Sequence, residues 1–369
     1  MGSITLTKAK GIWRTLPAPL RGAATLLAVL ALAALLTTVR HNASAYLTGV
    51  WDTGSQTLVY GRIHQMEQGQ YAPGGFLGVY TDDWSDDTNR ALFRDDTPTD
   101  AAAFHPYTHQ SGLQGWLFGG VNRLLRHWLP DGLARETALY WLNSTLFYAA
   151  ERLVALAVWE EFGPLAAAFG FASVLLAPWL QRGMKDLYWV PWTWQLPLLA
   201  VLLLCRCTCA RGRTPRWCWP LVSLAVLVRC MCGFEFITTF LILCEIPLCY
   251  AAAKAYCVEK APQRACRWLG RAVGAGAAAL TGLAVGAVSV VIALRRGVAA
   301  QLVPLGVVWL LSLAAPASWM VLSKAHAAIH THLVPMLWHF AFVPVSCMLL
   351  PVLAKLMIPG RKKDLVASH

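Results

Sequence analysis

The sequence predicts an all-α, multi-pass transmembrane protein of about nine spans with one long outer loop after the first span. Three observations carry this. The chain is 57% hydrophobic and only 14% charged, against about a quarter charged in soluble globules. Apolar runs of about 20 residues recur, each long enough to cross a ~30 Å hydrocarbon core. Trp13, Trp128, Trp179, Trp192, Trp217 and Trp219 flank those runs, as an interfacial belt does. Residues 1–369 thus read as one integral membrane domain, and residues 41–136 as its long outer loop.

Lys8, Lys10, Arg14 and Arg21 precede the first span with no acid among them, which predicts a cytoplasmic N-terminus. The first span, about Gly22 to Val39, lacks a small-residue cleavage site and reads as retained. The second runs from about Ala138 to Val158 and the third from Pro164 to Leu180. After a short outer turn, Gln181 to Tyr188, the fourth ends near Leu204. The basic stretch Arg206 to Arg216 reads as cytoplasmic. The fifth span is about Trp217 to Met231, and the sixth is Ile237 to Ala253. Three segments follow: Ala272 to Leu294, Val298 to Leu322 and Leu333 to Met357. Three crossings would put the basic tail Arg361-Lys362-Lys363 outside, against the charge rule. The Gly- and Ala-rich Ala272 to Leu294 is therefore the candidate for a re-entrant or split segment.

The net charge of +12 is spread over span ends as topology signals and does not point to nucleic acid. The eleven Cys all lie at or beyond Cys205, so the outer loop carries no disulfide. Cys205, Cys207 and Cys209 sit among arginines, as in a reducing cytoplasm. No internal repeat supports an inverted-repeat transporter.

The 41–136 loop holds eleven of the nineteen acids, from Asp52 to Glu136, against six arginines. Asp52 lies just past the first span, where a carboxylate can act as general base on a hydroxyl. Arg62 follows, and an Arg there can clamp phosphate. A solvated acidic loop is the plainer reading. Asp82 to Asp100 reads as a surface excursion. Leu113, Trp116, Leu117, Val121, Leu124, Leu125 and Trp128 repeat at helical spacing. They predict either an interfacial amphipathic helix or a core helix of a small outer domain. Asp186, Tyr188, Trp189, Arg229 and Glu235 fall at outer span ends. Asn42-Ala43-Ser44 and Asn143-Ser144-Thr145 match the glycosylation pattern.

Ser323 to His332 is the other polar concentration, with Lys324, His326, His330 and His332. Three readings stay open. His326 and His330 could hold a divalent metal such as zinc. Lys324 and the histidines could seat a phosphate. Backbone carbonyls could simply satisfy the rings. There is no Walker motif, Rossmann glycine fingerprint, serine nucleophile elbow or H-E-x-x-H.

Asp52-x9-Arg62-Ile63, Gly74-Gly75-Phe76-Leu77-Gly78, Gln110-Ser111-Gly112-Leu113-Gln114-Gly115, Leu187 to Trp194 and Lys324-x-His326-x3-His330-Thr331-His332 occur in this order. They resemble a family of bacterial multi-pass membrane proteins, and the plan looks like the GT-C glycosyltransferase superfamily. That resemblance implies a sugar transferase at the outer face of a bacterial inner membrane, with the 41–136 loop periplasmic. Its donor would be a polyprenyl-phosphate sugar, displaced directly at the anomeric carbon. Asp52 would be the base. Arg62, Gln110, Gln114, Asp186, Tyr188, Trp189, Glu235, Lys324, His326, His330 and His332 would bind substrate. Membrane lipids and the lipid-linked donor are the implied partners. Thr53 stands after Asp52, so the acid pair common after the first span of such enzymes is missing. The rival readings are a transporter or flippase for a lipid-linked or small polar substrate, and a non-catalytic assembly subunit.

Overall fold

Leu- and Ala-rich runs favour helix, which satisfies every backbone group within the segment, and helix dominates the described residues. A computed structural model describes residues 18–41, 52–70, 75–81 and 86–294. Among them, four helices are long and apolar enough to cross a membrane: α1 (Ala18–His41), α8 (Trp192–Arg211), α10 (Ile237–Cys257) and α11 (Pro262–Leu294). These apolar helices mark a membrane protein. The expected second span lies within α5 (Gly132–Phe162), a 31-residue helix that is not among the four. The expected third span is not one helix. It divides at Ala177 into α6 (Pro164–Leu176) and α7 (Pro178–Gly183), because Pro178 cannot continue α6. The expected fifth is α9 (Cys218–Cys232), apolar but only 15 residues long. Ala272 to Leu294 is part of the continuous 33-residue α11, neither split nor re-entrant. The last two expected spans lie outside the described residues, as do Asn42, Lys324, His326, His330 and His332.

The stretch between α1 and α5 is more ordered than an acidic loop. It contains α2 (Thr53–Glu67), β1 (Leu77–Val79), α3 (Asp86–Asp95), a 3-10 turn (Ala101–Ala103), β2 (His105–Tyr107) and α4 (Leu113–Leu125). β1 and β2 pair antiparallel, Leu77 opposite Tyr107 and Val79 opposite His105. This short pair is an addition to the all-α expectation. α2 packs on β1 through two glycines. A Cβ on Gly61 would overlap the Gly78 carbonyl, so the Gly-rich motif exists for close approach of backbones.

The Asp82 to Asp100 excursion is only partly solvated. Asn89 and Phe93 of α3 are fully buried, and Arg90 and Arg94 reach the buried Glu136 of α5. The acids Asp95 and Asp100 are exposed, as expected. α4 turns Gln114, Gly115, Phe118, Gly119 and Asn122 inward. Its apolar stripe divides: Leu124 is 68% exposed and Trp128, just past its end, 73%, while Leu113, Val121 and Leu125 pack against the core around Phe118.

α8, α9, α10 and α11 share one apolar core of Val201, Leu204, Val222, Val226, Cys244 and Leu248. Gly282 of α11 lies directly on the Ser223 backbone of α9. Arg206 pairs with Glu160, and Lys254 with Glu161, at one end of these helices. The other end carries the candidate site.

Candidate functional site

The turn between α7 and α8, residues 184–191, is the centre of the site. Pro191 and the apolar start of α8 force the chain over, and helices packed around it hold it by side chains. Asn143 of α5 donates to the Met184 and Asp186 carbonyls at 3.0 and 2.9 Å. Gln56 of α2 accepts the Leu187 N–H at 2.9 Å. Gln114 of α4 donates to the carbonyls of Tyr188, at 3.1 Å, and of Cys232, at 2.8 Å. Arg229 of α9 donates to the Trp189 carbonyl at 3.4 Å. Each buried backbone group so paired avoids the cost of an orphan in low dielectric.

Asp52 caps the N-terminus of α2: its Oδ1 accepts the Ser55 N–H at 3.0 Å. Its Oδ2 accepts the Trp189 indole N–H at 2.9 Å, and its own N–H donates to Asp186 Oδ2 at 3.3 Å. Asp186 Oδ1 takes the N–H groups of Tyr188 and Trp189. Asp186 is fully buried, and that burial pushes its carboxyl up to about 7. The backbone donors oppose the rise, while the nearby Asp52 charge adds to it. The two carboxylates, far apart in sequence, thus share one turn.

Beside them is a cavity of 280 Å³ lined by Leu180, Gly183, Pro191, Trp194, Phe236, Thr239 and Phe240. Its rings are continuous with Trp189: Trp189 to Phe236 is 5.7 Å and Trp194 to Phe240 is 5.8 Å between centroids. Two residues at this site hold left-handed backbone without being glycine, Val190 at φ 39 and Phe236 at φ 58. For the β-branched Val190 this is a true outlier. Such strain costs about 1–3 kcal/mol and is kept where surrounding structure over-determines it. Here Thr193 holds the Val190 carbonyl through both its N–H and its hydroxyl.

Glu235, at the start of α10, accepts the Tyr188 phenol at 3.2 Å and pairs with Arg229 at 3.3 Å. Burial holds the Tyr188 hydroxyl well above the usual phenol range. The structure therefore gathers Asp52, Gln110, Gln114, Asp186, Tyr188, Trp189 and Glu235 around one end of the bundle. Arg62 does not join Asp52. Ten residues along α2 put it about 15 Å away, fully buried, with its guanidinium 4.1 Å over the Trp116 ring. Asn143 is also fully buried, so glycosylation there is excluded and its amide is structural.

The sequence marks out neither Gln56 nor Lys185, and marks Asn143 only as a glycosylation acceptor. A polar residue inside an apolar run was the available signal for Asn143. Lys185 is 6% exposed, and burial pushes its ammonium down to about 8. Among the described residues no carboxylate pairs with it, and no group of three or more His, Cys, Asp or Glu could hold a metal. No protein-family model matches this chain, and no curated protein or solved structure matches it.

Proposed function

We propose that this chain is a GT-C-like integral membrane glycosyltransferase. It would move a sugar from a polyprenyl-phosphate donor to an envelope acceptor at the outer face of a bacterial inner membrane. About nine spans and a cytoplasmic N-terminus belong to the same proposal. The observation that carries it is the contact between Trp189 and Asp52 at the edge of an aromatic, apolar cavity. An isoprenoid chain fits such a lining, and Trp189 would hold its reactive end near the carboxylates.

In this reading Asp52 takes the acceptor's proton. A carboxylate has about four acceptor sites, and Ser55 and Trp189 use two of those on Asp52. Asp186 carries three N–H donors and no exposed surface, so it positions the turn. Lys185, beside Asp186 in the turn, would supply the cation for the departing phosphate. Lys324, His326, His330 and His332 stay in the proposal as phosphate donors, with a metal at His326 and His330 as the alternative.

The test is photolabelling of the purified protein with a benzophenone polyprenyl phosphate. Label should fall on peptides holding Trp194, Phe236 or Phe240, and Thr239→Trp, which fills the cavity, should suppress it. Labelling spread evenly over the apolar helices, unchanged by that variant, would overturn the reading.

One observation favours the transport alternative. Glu245 lies in mid-α10, and its Oε1 is buried with no hydrogen-bond partner among the described residues. Glu245→Gln should abolish lipid flipping in liposomes if the protein is a flippase, and leave sugar transfer intact if it is not.

A further inference from the structure

A second polar group gathers where α9 hands over to α10. Gly233 sits there at φ +154, a backbone region that favours glycine. A Cβ at Gly233 would overlap Glu235 Oε2 and stand 2.7 Å from Gln110 Oε1. The absent side chain thus lets a carboxylate oxygen and an amide oxygen converge on one point. Gln110 is only 2% exposed, yet neither Oε1 nor Nε2 has a hydrogen-bond partner among the described residues. A buried amide with nothing to bond is costly, and folding alone gives no reason to keep it. Glu235 is one-third exposed, so the group is reachable.

The chemistry of this pair narrows its ligand. The amide offers a donor and an acceptor, the carboxylate an acceptor, and the Tyr188 phenol a further polar edge. An anion would meet the Glu235 charge. A cation would meet Arg229, already committed to Glu235 at 3.3 Å. A neutral ligand with adjacent hydroxyls suits both. Tyr188 and Trp189, edge to face at 5.5 Å, add ring faces for C–H groups.

We propose that Gln110, Glu235 and Tyr188 form a binding subsite for the vicinal hydroxyls of a neutral saccharide. It rests on the sugar-transfer reading for the choice of saccharide among polyols, and on the geometry for its existence.

The full chain in lipid nanodiscs would be probed by saturation-transfer NMR with methyl glycosides of common hexoses and pentoses. At least one should receive saturation. Gln110→Leu and Glu235→Gln should each weaken it roughly tenfold, the equivalent of one good hydrogen bond. Gln110→Leu should also leave Tm unchanged or raise it by ~2–4 °C, since it removes an orphaned amide. Three results would overturn the subsite: no saturation of any glycoside, saturation in both variants equal to that of the wild type, or a Gln110→Leu protein that melts lower or fails to fold. Glycoside binding without transfer by the wild type would keep the subsite and remove the catalytic reading. Transfer activity with glycoside binding unchanged in the variants would do the reverse.

Discussion

Between Asp52 and Glu136 the fully buried side chains include Gln56, Thr57, Arg62, His64, Asn89, Gln114, Asn122 and Arg135. In the α8–α11 bundle they are mostly apolar, among them Val201, Leu204, Cys218, Val222, Val226, Cys244 and Leu248, with Thr193 and Arg229 at the site end. The first region has an apolar core too, around Ile63, Phe93 and Phe118, but adds to it hydrogen bonds between named atoms. Glu136 accepts Tyr140 at 2.9 Å and Arg90 at 2.7 Å, and Gln56 links Tyr60 and Tyr140 to the Leu187 N–H beside Asp186. The second is fixed by shape, with Gly282 and Gly286 letting α11 lie against α9. Directional bonds hold atoms to a fraction of an ångström, which a reacting centre needs, whereas apolar packing tolerates exchange. The candidate site sits where the two regimes meet.

Mutations can break this contrast. The largest effect belongs to Glu136→Ala, which removes the buried acid that Tyr60, Tyr140, Arg90 and Arg94 share. It should cost about 3–5 kcal/mol, read as a drop in thermal stability of the purified protein. A change under ~1 kcal/mol would remove the network's importance.

A comparable effect, roughly 4 kcal/mol, belongs to Asp186. Its folded carboxyl is raised from 3.8 to about 7, so its share of stability is full below pH 4 and is lost as pH rises through 7. Glu67, pushed by burial to about 7, titrates over the same window. Asp186→Asn should therefore flatten part of the decline between pH 4 and 7 without abolishing it. A wild-type protein whose stability rises across that window would contradict the burial argument.

The smallest effect is expected in the bundle. Leu248→Met, fully buried in the apolar core, should cost less than ~1.5 kcal/mol. A loss as large as that of Glu136→Ala would erase the distinction between the regions.

The two regimes also differ in what the sequence reveals. α1, α8 and α10 are legible because length and hydropathy alone define them. α2 was not, because it is buried on every side, with apolar and polar residues mixed around it, and so has no apolar stripe. The separation of Asp52 and Arg62 follows from that missed helix, since ten helical residues carry Arg62 away from the cap. Arg229 and Glu235 could be assigned to one span end, but their pairing depends on the turn at Gly233. Gln110 was visible only within a motif; its unbonded burial is a property of the packed structure.

The central claim is that Asp52 acts on a hydroxyl at the Trp189 turn. The most direct measurement is sugar transfer from a polyprenyl-phosphate donor by Asp52→Asn beside the wild type, with donor binding measured in parallel. Asn keeps the shape and cannot take the proton. Turnover should fall by ~10²–10⁴, as for loss of a general base, with donor binding and folding retained. Full transfer activity in Asp52→Asn would contradict the claim.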